Sequence, residues 1–364
     1  MSLDVVTQRT GRRPRLDLSA ASDAAKVAVD DGTLPSVVFG VSDALGVVGT
    51  VAVDGPDTRV DEDSIFFLAS VTKPIVATAV MRYVDEGRVD LRAPLARYLP
   101  EFDGPARERV TAWHILTHTS GLPDMPVEEL FSRRPAFDEA LRVELGSTPT
   151  FEPGSRFSYA SSPFLLLAEV MARASGVSFS QVLQMRVTGP LGMHDTTFDP
   201  RYDRRRAVSL KGLEINNRVV EEVMVRFLAR ATLPGGGMFA TVGDLLRLGR
   251  ALLPAPNDGS GDSAASPRIL SAEAIAEMSR LQTEGLEETL EDGTTQLARF
   301  GLGWAKPSEQ MPGTGTAFTH GGAAGGRLWI DPDAGLAYAF LTNQWGAPSE
   351  TAYAVLEEIY RAWD

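Results

Sequence analysis

The sequence predicts an α/β (α+β) fold: an antiparallel sheet built from N- and C-terminal segments, flanked by helices, with a mostly helical inserted domain. Three observations predict it. Two strand-like runs, 36–41 and 47–53, stand near the N-terminus with Gly and Pro on either side. Four more, 300–306, 317–320, 327–330 and 336–342, occupy the last third of the chain. The region between them is dominated by helical segments joined by Pro and Gly turns. Strands at both ends with helices between them imply one sheet assembled from distant segments. The expected division is a sheet domain over 19–90 and 232–364, a mostly helical domain over 91–231, and an active site in the cleft between them.

Taken in order, 19–32 reads as a helix ending at Asp31-Gly32. Phe66-Phe67-Leu68 leads into Ser70, and 71–85 is helical, with Ile75, Val76, Ala79, Val80 and Val84 at helical spacing and Gly87 closing the run. Pro74 falls in the first turn, where a missing N–H costs little. Helical segments follow over 112–117, 162–174 and 179–187. After Pro234-Gly235-Gly236-Gly237 comes a helix over 242–252, and 255–267 reads as a flexible loop. An acidic hairpin over 282–299 is expected to turn at Asp292-Gly293, and 349–363 is a closing helix.

The 364 residues carry a net charge of −13, and the only dense basic run, 201–206, is short and interrupted. Nucleic acid and anionic membranes are therefore not expected partners. With no cysteine, disulfides, thiolate metal sites and a Cys nucleophile are all excluded. The stretch from Met1 to Arg9 has no apolar run suited to a signal peptide, so a cytoplasmic protein is expected.

The strongest local feature is Ser70-Val71-Thr72-Lys73, a Ser-x-x-Lys tetrad opening a helix. A spacing of three puts the ammonium and the hydroxyl on one helix face. The free N–H groups of a helix start favour a developing oxyanion, so a nucleophile can be activated there without histidine. Alone, the tetrad equally describes a Ser cap and a solvent-facing Lys. Further elements give it context: Tyr159-Ala160-Ser161 at a loop-to-helix junction, and Thr319-His320-Gly321-Gly322-Ala323 at the end of a strand. Between the first two lies His114-Ile115-Leu116-Thr117-His118-Thr119-Ser120-Gly121-Leu122-Pro123, and Gly235-Gly236-Gly237-Met238-Phe239-Ala240-Thr241 comes later.

In this order the elements resemble the serine β-lactamase-like superfamily, which includes class C β-lactamases, D-Ala-D-Ala carboxypeptidases, family VIII carboxylesterases and related acyltransferases. The resemblance implies a β-lactamase/transpeptidase-like fold, with Ser70 as the acylated nucleophile and Lys73 and Tyr159 as the base and acid pair. The backbone N–H groups of Ser70 and Ala323 would form the oxyanion hole, and Ser161, His320, Gly321 and Gly322 would contact substrate. An ammonium about 4 Å from a phenolate is worth roughly 4 kcal/mol at an effective dielectric near 20. That would bring a tyrosine from about 10 to near neutrality before desolvation pushes back. Which of Lys73 and Tyr159 takes the serine proton stays open.

Two departures bear on substrate. Lactam-processing members usually carry Asn where this chain has Ser161, and Lys-Thr-Gly where it has His320-Gly321-Gly322. A histidine is mostly neutral at pH 7, so both changes weaken recognition of an anionic, amide-bearing lactam. Neither harms attack on a simple ester. The expected activity is hydrolysis of small carboxylic esters without metal or other cofactor. A β-lactamase or D-Ala-D-Ala carboxypeptidase, an acyltransferase, or an acylated sensor without turnover are the alternatives. Oligomeric state is open. His114 and His118 lie four apart and could in principle bind a metal, but no third ligand is signalled, and structural hydrogen bonding is the expectation for both. His194, in a turn, is read as structural.

Overall fold

The computed structural model describes residues 16–203, 205–212, 218–255, 267–290 and 293–363. The stretch from Met1 to Arg9, Arg204 of the basic run, most of the expected loop and Asp292 of the hairpin lie outside the described residues.

In chain order the structure runs α1 (Ser19–Asp30), β1 (Val37–Ser42), β2 (Val47–Val53), β3 (Phe66–Phe67) and α2 (Thr72–Asp85). Then come α3 (Ala112–Leu116), α4 (Val127–Arg133), α5 (Phe137–Gly146), α6 (Phe164–Ser175), α7 (Phe179–Leu183) and α8 (Arg218–Ala231). The remainder is β4 (Phe239–Ala240), α9 (Val242–Leu252), α10 (Ala272–Ser279), β5 (Glu287–Thr289), β6 (Thr295–Leu297), β7 (Phe318–Gly321), β8 (Arg327–Asp331), β9 (Leu336–Thr342) and α11 (Glu350–Trp363).

The main sheet has five strands in the order β2-β1-β9-β8-β7, every neighbouring pair antiparallel. N- and C-terminal strands meet where β1 pairs with β9, from Val37 opposite Thr342 to Ser42 opposite Ala337. Successive side chains of a strand point to opposite faces, and the core divides accordingly. Val37, Phe39, Trp329, Tyr338 and Phe340 pack with residues of α1 and α11, whereas Val38, Leu328, Ile330, Ala339 and Leu341 pack with residues of α2, α9 and α10. Both faces are covered, which is why β1 and β9 are buried throughout and mostly apolar rather than alternating. Helix α9 lies close on the sheet because Gly249 permits it: a Cβ there would stand 2.7 Å from the Cβ of Ala337. Helix α2 is buried nearly all round from Thr72 to Tyr83, as expected of a helix running through the centre of a fold.

The architecture is the expected antiparallel sheet of N- and C-terminal strands flanked by helices, with local differences. No strand forms over 300–306. Gly301 N–H bonds back to Trp304 O (2.7 Å), and Gly303 takes φ 74° against Ala77 of α2, so the segment turns and keeps only single bridges from Ala305 to Phe300 and Thr319. The helix over 179–187 is α7 followed by a π-helical turn at Gln184–Thr188. The acidic hairpin forms as β5 and β6, Glu288 opposite Gln296. Among the described residues, no helix is long and apolar enough to cross a membrane.

Candidate active site

The site begins with a bent entry to α2. Strand β3 pairs with β4, Leu68 N–H donates to Met238 O (2.9 Å), and Met238 N–H donates to Thr72 Oγ1 (3.1 Å). Between these ties Ala69 adopts φ 45°, a conformation that costs free energy for a residue with a Cβ. The following residues, Ala69–Val71, form a 3₁₀ turn rather than the first turn of α2, and this turn carries Ser70. Strain held at the serine by contacts on both sides is a common property of nucleophile turns.

Lys73, one turn on, is completely buried. Its Nζ donates to Ser70 Oγ (3.2 Å), Ser161 Oγ (2.9 Å) and the carbonyl of Gly235 (2.7 Å). None of these partners is a carboxylate. Burial therefore dominates and pushes the ammonium pKa down to about 7, with Asp124 pulling weakly the other way. A neutral amine offers two N–H groups and one lone pair. With Ser161 and Gly235 taking the N–H groups, the lone pair is left for the Ser70 hydroxyl.

Tyr159 lines the same cavity as Ser70, which acts on its hydroxyl by favouring the ionised form. Here desolvation outweighs the pull toward the ionised form. The Tyr159 pKa is raised, not lowered, because desolvation exceeds the help from Ser70, and Asp124 disfavours a phenolate as well. Lys73 Nζ sits 4.6 Å from the centroid of the ring, over its face, so its charge acts on the ring instead of pairing with the phenolic oxygen. Tyr159 thus stays a phenol and Lys73 is the group that can be neutral, which separates an acid from a base.

Of the other predicted residues, Ser161 and Ala323 line the cavity with Ser70, whereas His320, Gly321 and Gly322 lie beside it and not on its lining. Gly322 is pressed on the serine turn: a Cβ there would lie 2.3 Å from Leu68 O and 3.3 Å from Ser70 N. The next residue, Ala323, lines the same cavity as Ser70; its carbonyl accepts from Gly346 N–H (2.7 Å), which fixes that peptide. Gly321 accepts a hydrogen bond from His320 Nδ1 (2.7 Å). Burial, helped by Lys73, pushes the His320 pKa down to about 3, so this imidazole is neutral. Ser161 turns inward to Lys73, and it and Tyr159 both line the cavity.

Three contributors escaped the sequence reading. His118 was expected to be scaffold, yet its ring stacks on Tyr159 with centroids 4.2 Å apart, and its Nδ1 accepts Ala160 N–H (3.2 Å). His114 instead closes a capping box with Thr111 at the start of α3, so the two histidines serve different ends. Gly235 holds Lys73 through its carbonyl, and a Cβ there would stand 2.5 Å from Ser161 O. Asp124 lines the cavity and gave no motif signal of its own. Among the described residues no group of His, Cys, Asp and Glu could hold a metal ion.

A serine on a strained turn ahead of a buried helix, with a lysine one turn later and a phenol on the same cavity, defines the class of serine hydrolases with the β-lactamase fold. The chain belongs to the Beta-lactamase family, whose model matches residues 21–359. It is 32% identical over 320 residues to the Mycobacterium tuberculosis protein Rv1367c, covering 77% of each chain. It is 32% identical over 325 residues to esterase EstB of Burkholderia gladioli, covering 78% of each. Among solved structures it superposes on a family VIII carboxylesterase with a TM-score of 0.80, at 22% identity and over the whole of both chains.

Proposed function

We propose that the protein hydrolyses small carboxylic esters through an acyl-Ser70 intermediate. Ser70 Oγ attacks the ester carbonyl as its proton passes to neutral Lys73, and the backbone N–H groups of Ser70 and Ala323 receive the oxyanion. The C–O bond to the alcohol then breaks, Tyr159 protonates the departing oxygen, and the proton held on Lys73 returns to the phenolate through water in the cavity. Water repeats the sequence on the acyl-enzyme and releases the acid.

The observation that carries this reading is the cavity at Ser70, about 440 Å³ and walled by Met125, Leu130, Phe131, Leu165, Leu233 and Trp345. Its lining includes no Lys, Arg or His among the described residues. A lactam or a peptide C-terminus brings a carboxylate that needs a cation, and His320 at the strand is neutral. An ester with an apolar acyl chain makes no such demand. The resemblance to EstB and to a family VIII carboxylesterase supports the same substrate class.

Turnover of p-nitrophenyl butyrate measured beside nitrocefin tests it. The wild type is expected to show the higher kcat/KM on the ester, and Ser70→Ala to lose it. A higher kcat/KM on nitrocefin would overturn the substrate assignment, and full ester turnover in Ser70→Ala would exclude the nucleophile.

A further inference from the structure

We infer that the cavity selects esters carrying a positively charged ammonium group, with Asp124 and an aromatic wall as its recognition elements. This deepens the esterase reading by naming a substrate class, and rests on it where turnover is concerned.

Asp124 stands on the lining of an otherwise mostly apolar cavity that also contains Ser70. Its side chain is exposed there, and it is held in place by the Ser162 N–H (2.8 Å) and its neighbour Met125 N–H (3.0 Å), both bonded to Oδ1. Oδ2 enters none of the hydrogen bonds recorded for the described residues. The field of this carboxylate reaches the reacting groups, because it favours the charged form of Lys73 and disfavours a Tyr159 phenolate. A neighbouring carboxyl adds little charge. Glu144 is buried and has its pKa raised by burial to about 8, so it is largely a neutral acid at pH 7.

Four aromatic rings share the lining: Phe67, Phe131, Trp345 and Tyr159. Phe131 and Trp345 lie 6.4 Å apart in an edge-to-face pair. Aromatic faces attract cations, and a carboxylate beside them completes the chemistry that recognises an alkylated ammonium. Such a group is weakly hydrated, so it gives up little on entering an apolar space. The same carboxylate repels an anionic acyl or alcohol group, in line with the missing cation for a lactam carboxylate. A neutral isostere gains the apolar contact but not the charge pairing.

The test compares butyrylthiocholine with its neutral carbon isostere, 3,3-dimethylbutyl thiobutyrate, and with an analogue ending in a carboxylate. The wild type is expected to prefer the cation over the neutral isostere by about tenfold in kcat/KM, equal to about 1.4 kcal/mol, and to use the anion least. In Asp124→Asn the cation-to-neutral ratio is expected to fall toward one. Taking the ratio within each variant cancels any loss of folded enzyme, and Asn keeps a carbonyl for the Ser162 N–H. Calorimetric binding of choline against 3,3-dimethylbutanol to the wild type reads the cavity without turnover. A ratio near one in the wild type, or one unchanged by Asp124→Asn, overturns the inference while leaving neutral-ester hydrolysis standing. If no ester is turned over, the esterase reading fails, and the binding pair alone decides: equal affinity for choline and its isostere overturns the selectivity.

Discussion

The burial of Lys73 makes a quantitative statement about pH. Its amine has no carboxylate partner, and desolvation brings its pKa to about 7. Only the neutral form has a lone pair for the Ser70 proton, so the acylation rate follows the neutral fraction. For a pKa of about 7 that fraction is about a half at pH 7, about a tenth at pH 6 and about a hundredth at pH 5. kcat/KM should therefore rise about a hundredfold from pH 5 to a plateau above pH 8. The flanking imidazoles cannot supply this limb, because His320 is pushed to about 3 and His118 well below its usual value, which leaves both neutral throughout. Glu144, near 8, also titrates in the window, and Glu144→Gln separates its contribution. Asp124 favours the ammonium, so Asp124→Asn should move the limb to lower pH. The assay is initial-rate kinetics with p-nitrophenyl butyrate at an isosbestic wavelength, at constant ionic strength. A kcat/KM that is flat from pH 5 to 8, or that falls as pH rises, would refute a Lys73 base.

Further predictions concern the acid, the glycine loop and the buried carboxyl. With Tyr159 raised and kept as a phenol, Tyr159→Phe should cost about 10²–10⁴ in kcat/KM on alkyl esters, and clearly less on p-nitrophenyl esters, whose leaving group needs no proton; equal losses on both would remove the acid role. Gly235→Ala puts a Cβ 2.5 Å from Ser161 O and displaces the carbonyl that holds Lys73, so kcat should fall about a hundredfold, whereas a rate within a few-fold of wild type would show that the loop is not needed to place the amine. Glu144 has its folded pKa raised to about 8, so the folded state binds more protons than the unfolded one between its ordinary value and 8. Stability from this group is full at low pH and is lost as pH rises through that window. Glu144→Gln should therefore raise the thermal midpoint relative to wild type more at pH 8 than at pH 5, and an equal shift at both would contradict the raised pKa.

Much of the architecture was legible because it rests on periodicity. The apolar runs of β1 and β9 and the spacing of Ile75, Val76, Ala79 and Val80 in α2 reflect burial that any sequence pattern records. The segment over 300–306 misled for a physical reason: its residues suit a strand, but Gly303 at φ 74° turns it against Ala77, a tertiary contact with no local signal. In the site, Ser70 and Lys73 were legible as a pair because helical geometry alone brings them together. His118 was not, because only the folded chain shows its ring against Tyr159. The direction of the Tyr159 pKa was also out of reach: it depends on how far the folded chain desolvates the phenol.

The claim on which the mechanism depends is that Ser70 becomes acylated. Quenching the enzyme during turnover of p-nitrophenyl butyrate, followed by intact-mass measurement and peptide mapping, reads it directly. The expected result is a transient mass increase of one butyryl group, mapped to the peptide containing Ser70 and absent in Ser70→Ala. A butyryl group found on another residue, or steady turnover by the Ser70→Ala protein, would contradict the account.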